Sequence, residues 1–243
     1  MKRYLAPLAV LAATPAAAAT SGEWTAPANP LYTFTYTIPP QVAAIPALRS
    51  RLLADRARQL AKVRRDAAES AAEARRGGFP VRRFDYDQTW QVVTGLPGWL
   101  SLSAEFYNFT GGAHGMSWSG SMLWDRKAAR ARNPLDLFTS KAALSQAIRA
   151  PFCAALNRQR AEKRGEPVKA GSTAMFEECI DPVKQTVLLG SNSKRVFDRI
   201  GILVAPYEAG PYVEGSYEVT VPVTPAVLAA VRPVYRASFG VGW

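Results

Sequence analysis

The chain has 243 residues, with 30 Lys and Arg against 19 Asp and Glu, a formal charge of +11, and 48% hydrophobic residues. That length fits one large domain or two small ones with a shared core, and nothing in the composition suggests disorder. A positive balance of this size concerns partners rather than fold, and it points to polyanions.

At the N-terminus Lys2 and Arg3 precede an apolar run from Tyr4 to Ala13, followed by Thr14-Pro15 and the small residues Ala16 to Ala19. This layout predicts a secretory signal peptide over 1–19 with an Ala-x-Ala cleavage site, and a periplasmic or secreted mature chain beginning near Thr20. The apolar run ends near half the roughly 20 residues that a membrane span requires, so no membrane span is expected. Loss of Lys2 and Arg3 takes the formal charge from +11 to +9. In an envelope the polyanions at hand are peptidoglycan, lipid head groups and anionic polysaccharide, and export makes nucleic acid a poor partner.

Thr33 to Ile38 alternates strictly, which predicts a strand with Phe34, Tyr36 and Ile38 on one face. Ile45 to Arg76 reads as one long amphipathic helix: Ile45, Leu48, Leu52, Leu60, Val63, Ala67 and Ala71 form a stripe, and Gly77-Gly78 stops it. Arg49 and Arg56 interrupt the stripe, and Arg51, Asp55, Arg58, Lys62 and Asp66 are assigned to the outer, charged side. Such a face is usually solvated, although a basic surface for polyanions is the competing use.

Beyond Pro80 the period returns to two. Phe84, Tyr86, Trp90 and Val92 share one face, Leu100, Leu102, Ala104 and Phe106 another, and Met116, Trp118, Met122 and Trp124 a third. Ser140 is a plausible N-cap for a second helix, Lys141 to Ala150, with Pro151 expected to kink or end it. Cys153 and Cys179, an even pair in an oxidising compartment, are expected to form a disulfide across a polar, basic excursion. Strand patterns recur over Ile200 to Ala205 and at Tyr217, Val219, Val221 and Val223, and Pro225 to Val231 reads as a short helix. The expected class is α+β, an antiparallel sheet with a long N-terminal amphipathic helix and a second helix packed on it.

Between the second and third strand runs lies Tyr107-Asn108-Phe109-Thr110-Gly111-Gly112-Ala113-His114-Gly115, which holds the chain's single histidine in a glycine-rich turn. The stretch resembles the TGGAHG signature of an extracytoplasmic domain-of-unknown-function family, found in the outer region of RsiV-like anti-sigma factors and in a segment of PdaC-like peptidoglycan deacetylases. Val204-Ala205-Pro206-Tyr207-Glu208-Ala209-Gly210 is close to the same family's APYxxG motif. The resemblance implies two subregions, 20–110 and 111–243, sharing one core and one antiparallel sheet. It carries neither sigma-factor control, for which the membrane span and sigma-binding segment are missing, nor deacetylation, whose metal site takes several histidines.

What the resemblance implies is the envelope-exposed module itself: a non-catalytic binder of peptidoglycan, of another glycan, or of a wall-associated protein. The preferred contact residues are Thr110, Gly111, Gly112 and His114 in the turn and Tyr207, Glu208 and Tyr212 in the second loop; no catalytic residue, metal or cofactor is expected. A wall hydrolase centred on His114, with Glu208 or Asp125 orienting the ring and Ser117 or Tyr207 as its partner in the reaction, is the first alternative. A lysozyme-binding interaction protein is the second, and there like-charge repulsion would call for a local acidic patch.

Overall fold

The computed structural model describes residues 22–169, 171–172 and 174–242. The expected signal peptide lies outside the described residues. Strands β1 (Gly22–Thr25) and β2 (Tyr32–Ile38) lead through a helical turn, α1 (Pro40–Ala43), into α2 (Pro46–Arg76). Then come β3 (Phe84–Gly95), β4 (Trp99–Phe109), β5 (Met116–Asp125) and β6 (Arg130–Arg132), which with β1 and β2 form a six-stranded sheet in chain order. All its pairs are antiparallel except β2 with β3, which run parallel because the long α2 carries the chain back to the start of the sheet. The class is α+β.

The period-two pattern decides which face α2 covers. Phe34, Tyr36, Ile38, Phe84, Tyr86, Trp90, Leu100, Leu102, Ala104 and Trp124 are buried beneath Leu48, Leu52, Val63 and Ala67 of the helix. Asp55, assigned above to the solvent side, instead points inward. Seven residues after Leu48, it returns to nearly the same azimuth. There its carboxylate accepts from the Tyr36 hydroxyl at 2.9 Å and from Gln88 Nε2 at 3.2 Å, while Trp90 Nε1 donates to the same hydroxyl at 2.9 Å. Arg56 is not a defect in the stripe either, since its guanidinium lies over the Trp24 ring at 4.4 Å.

The remaining strands, β7 (Thr186–Gly190), β8 (Arg199–Val204) and β9 (Tyr217–Pro222), make a separate three-stranded antiparallel sheet, so the single sheet expected from the sequence is two. β6 caps the β5 edge over Leu123–Asp125, and the C-terminal strands build a ladder of their own. The helix α3 (Lys141–Arg164) covers this sheet, and α4 (Pro225–Ala230) follows β9. Buried side chains fall into two clusters, and β4 contributes to both: Leu100 and Leu102 to one, Trp99 to the other. Trp99 through Ala104 are accordingly all buried.

α3 does not end near Pro151 but runs 24 residues, with Ser140 accepting from Ala143 N at 3.0 Å as its N-cap. A proline inside a helix costs about 3 kcal/mol. Leu144, Ile148, Phe152 and Leu156, four residues apart, bury one continuous stripe on both sides of it, and burial of about 2 kcal/mol per large side chain outweighs that cost. Cys153 and Cys179 are bonded, with Cα atoms 5.5 Å apart, as expected.

Candidate functional site

The turn between β4 and β5 folds back on itself because two of its positions accept nothing larger than glycine. Gly111 adopts φ +92°, and a Cβ there would also meet Arg82 Cβ at 2.7 Å. At Gly115 the Tyr107 ring already occupies the place a Cβ would take. The Gly115 carbonyl accepts from His114 Nδ1 at 2.9 Å and from the Tyr212 hydroxyl at 2.9 Å. Since a carbonyl only accepts, Nδ1 carries a proton, and the ring is exposed.

Tyr212 thus ties the second loop to the turn, and the rings follow. His114 and Tyr212 stack at 4.2 Å between centroids, Tyr207 and Tyr212 lie 5.5 Å apart, and His114 and Tyr207 6.5 Å. Three residues singled out from two distant motifs therefore meet. Tyr207 stands at φ +70°, a strained angle for a residue with a Cβ, and keeps 46% of its surface exposed. Glu208 does not join them; its carboxylate accepts from Gln185 Nε2 at 3.3 Å. Asp125, at the far end of β5, is held by Arg132 Nε at 2.9 Å and Ala128 N at 2.9 Å. Thr110 lies on the other side of the hairpin tip, toward α2.

The loop carrying Tyr207 is held from beneath by the last turns of α3. Arg160, fully buried, donates from Nε to the Ala209 carbonyl at 2.9 Å and from Nη1 to the carbonyls of Glu177 and Glu178 at 3.2 and 3.1 Å. Arg164 grips Glu214 with two bonds, 2.8 Å from Nε and 3.0 Å from Nη2, and the Tyr217 hydroxyl donates to the same carboxylate. Burial alone would raise the Glu214 pKa, but Arg164, Tyr217 and Lys163 outweigh it and hold the carboxyl below its ordinary value. Burial and that carboxylate push the Tyr217 hydroxyl up to about 12. Because the disulfide closes the segment that contains Glu177 and Glu178, it also steadies two of the acceptors of Arg160. Neither arginine had been singled out, yet a signal existed: Arg160 continues the stripe Leu144, Ile148, Phe152, Leu156 at the same interval.

Beside Tyr107, whose ring packs on Gly115 of the turn, a groove of about 520 Å³ runs between the two sheets. Tyr107 lines it, with Asp87 and Glu105 on the face of the first sheet turned away from α2 and Glu218 on β9 opposite. Thr186 Oγ1 of β7 donates to the Ser119 carbonyl of β5 at 2.8 Å and bridges the sheets beside it. Its aromatic walls, Phe106, Tyr107 and Trp118, and its carboxylates suit a ligand with ring faces and hydroxyl donors. Among the described residues no group of three or more His, Cys, Asp or Glu is placed to hold a metal ion, and no helix is long and apolar enough to cross a membrane.

Residues 26–117 match the family model described as "Deacetylase PdaC". That span is similar to the PdaC family. It takes in the glycine-histidine turn and stops well before the Tyr207 loop. Among solved structures, a DUF3298 family protein from Pseudomonas aeruginosa is similar at 19% identity with a TM-score of 0.52, over 90% of this chain and 94% of that one. A DUF3298 family member from Bacteroides fragilis has 16% identity and a TM-score of 0.47, over 79% of this chain and 80% of that one. The Pseudomonas likeness extends the shared fold across both sheets. No curated protein matches the chain.

Proposed function

We propose that this chain is an exported, non-catalytic cell-envelope binding module that recognises the glycan of peptidoglycan along the groove between its sheets. One observation carries the reading: His114, Tyr207 and Tyr212, from two separate loops, form a stacked and partly exposed ring cluster tied together through the Gly115 carbonyl. Aromatic faces stack on sugar faces, and the strained Tyr207 backbone is the kind of cost that persists at a binding site. The engagement of Glu208 by Gln185 and of Asp125 by Arg132 supports binding over a hydrolase centred on His114. The carboxylates of Asp87, Glu105 and Glu218 favour a second reading, a basic wall-associated protein, since they supply the local acidic patch such a partner needs on a basic chain.

Sedimentation of the purified protein with isolated peptidoglycan tests the proposal. Tyr207→Ala is expected to weaken binding by about tenfold, equivalent to about 1.4 kcal/mol. High salt is expected to leave most of the binding in place, because ring stacking is not screened. Binding that is indifferent to Tyr207 and abolished by salt would overturn it.

A further inference from the structure

On the side of the β4–β5 hairpin facing α2 lies a second cavity, of about 280 Å³, which shares Phe106 and Trp118 with the groove. Its walls are aromatic. Phe106 and Trp118, directly opposite each other across the two strands, stack at 5.1 Å with planes 3° apart, and Phe84 and Tyr86 add two more rings. Trp118 remains 39% exposed, so one face of its indole is open. A Trp in phase with a core is expected to be covered; this one is only partly so, because α2 meets the cavity with Val63 of its apolar stripe beside the polar Gln59, Lys62 and Asp66.

Those two side chains form an ion pair with each other across one helical turn, so the rim is electrically balanced. Asn108 and Thr110 line the same cavity, and neither spends its side chain on a hydrogen bond within the protein among the described residues. An open indole face, a neutral rim and unspent amide and hydroxyl groups select an uncharged ring that is apolar on its faces and polar at its edge. The volume, near the lower end of the roughly 300–1,000 Å³ of small-molecule sites, fits one ring rather than a chain.

We infer that this cavity is a second sugar subsite, taking a single pyranose unit of a neutral glycan stacked on Trp118 and bonded at its edge by Asn108 and Thr110. The inference rests on the glycan-binding reading of the groove in its choice of ligand class. Its polar residues are its own, however: Asn108 and Thr110 line the cavity and not the groove, while Phe106 and Trp118 line both. Thr110, at the tip of the glycine-histidine turn, thereby acquires a role that the ring cluster does not give it.

Chitotetraose, a neutral sugar chain, is the probe, with binding followed by calorimetry and by tryptophan fluorescence. Trp118→Ala and Asn108→Leu are each expected to weaken binding by about tenfold. Trp118→Phe is expected to hold calorimetric affinity within about threefold while abolishing the fluorescence change, a split that a merely structural role would not produce. Salt is expected to leave the affinity unchanged. If chitotetraose fails to bind, or binds equally well to Trp118→Ala and Asn108→Leu, the subsite is refuted even where Tyr207-dependent sedimentation with peptidoglycan survives. If the tetramer binds with these dependences but peptidoglycan sedimentation ignores Tyr207, the subsite stands and the groove reading falls.

Discussion

Tyr207 combines a backbone cost with an exposed ring, and the two are separable. At φ +70° a residue with a Cβ is strained by about 1 kcal/mol, whereas glycine is not. Tyr207→Gly is therefore expected to be more stable than Tyr207→Ala by about 1 kcal/mol in chemical denaturation, although both lose the ring and bind equally poorly. Equal stability of the two variants would show that the angle relaxes without the tyrosine, and would remove strain as a sign of function. His114, Tyr207 and Tyr212, whose rings meet, stand out in the sequence as loop rings because they sit in glycine-marked turns, where a large polar ring has no core to fill. Tyr107 was not, because its neighbour Phe106 explained the strand and Tyr107 took the opposite phase, which turns out to line the groove. Asp55 was misplaced for a related reason: a carboxylate was assigned to solvent by type, when its position after Leu48 placed it over Tyr36.

α3 is the element on which the candidate site depends. Its N-terminal half packs a sheet and its C-terminal half holds a loop, and the change of task occurs at Arg160, the next residue of the buried stripe. Arg160→Leu keeps the apolar volume but leaves the carbonyls of Ala209, Glu177 and Glu178 without their donor. A loss of about 3 kcal/mol is expected in urea denaturation, with faster amide exchange across 206–215 than in the strands. A variant that lost stability while that loop exchanged as slowly as before would mean that other contacts hold it. The helix start is legible in the sequence, since Ser140 is a plain cap, but Pro151 hides its extent. Proline signals a local cost, and only the packing of Phe152 and Leu156 against the second sheet reveals that the cost is met. For α2 the boundaries were legible to a residue, and part of its outer charge is engaged within the protein. Arg58 pairs with Asp55 at 3.1 Å, Lys62 and Arg65 share Asp66, Arg56 caps Trp24, and Arg64 donates to the Tyr32 hydroxyl at 2.8 Å. A helix with these cations engaged offers fewer free charges to a polyanion than its composition suggests.

Across the molecule, the two sheets were not legible as two, because strand pattern fixes a strand's faces but not its partners. What the three-dimensional arrangement adds is a set of buried ionisable groups far apart, and together they set the pH range over which the fold holds. Burial opposes ionisation of Asp125, Asp198 and Glu214, but it is outweighed at Asp125 by the Ala128 N–H and Arg132, at Asp198 by the N–H groups of Asn192 and Ser193, and at Glu214 by Arg164 and Tyr217. All three pKa values end below the ordinary 3.8 of aspartate and 4.5 of glutamate. The unfolded chain therefore takes up these protons at higher pH than the folded chain does, and the stability they confer is complete above the ordinary carboxylate range and lost as pH falls through it. Tyr217 works in the opposite direction. Its pKa rises from 10.0 to about 12, so the unfolded chain releases that proton first and stability declines as pH climbs above 10. Burial pushes Tyr36 and Tyr86 upward as well, adding to the alkaline loss. Urea midpoints should thus form a plateau from about pH 5 to about pH 10 with a fall on each side. Glu214→Gln should lower the plateau, because Arg164 then lacks its charged partner, and should make the acid limb shallower, because one of the three linked carboxylates is gone. An acid limb as steep in Glu214→Gln as in the parent would show that the Arg164 fork, which anchors the Tyr207 loop, is not formed in solution.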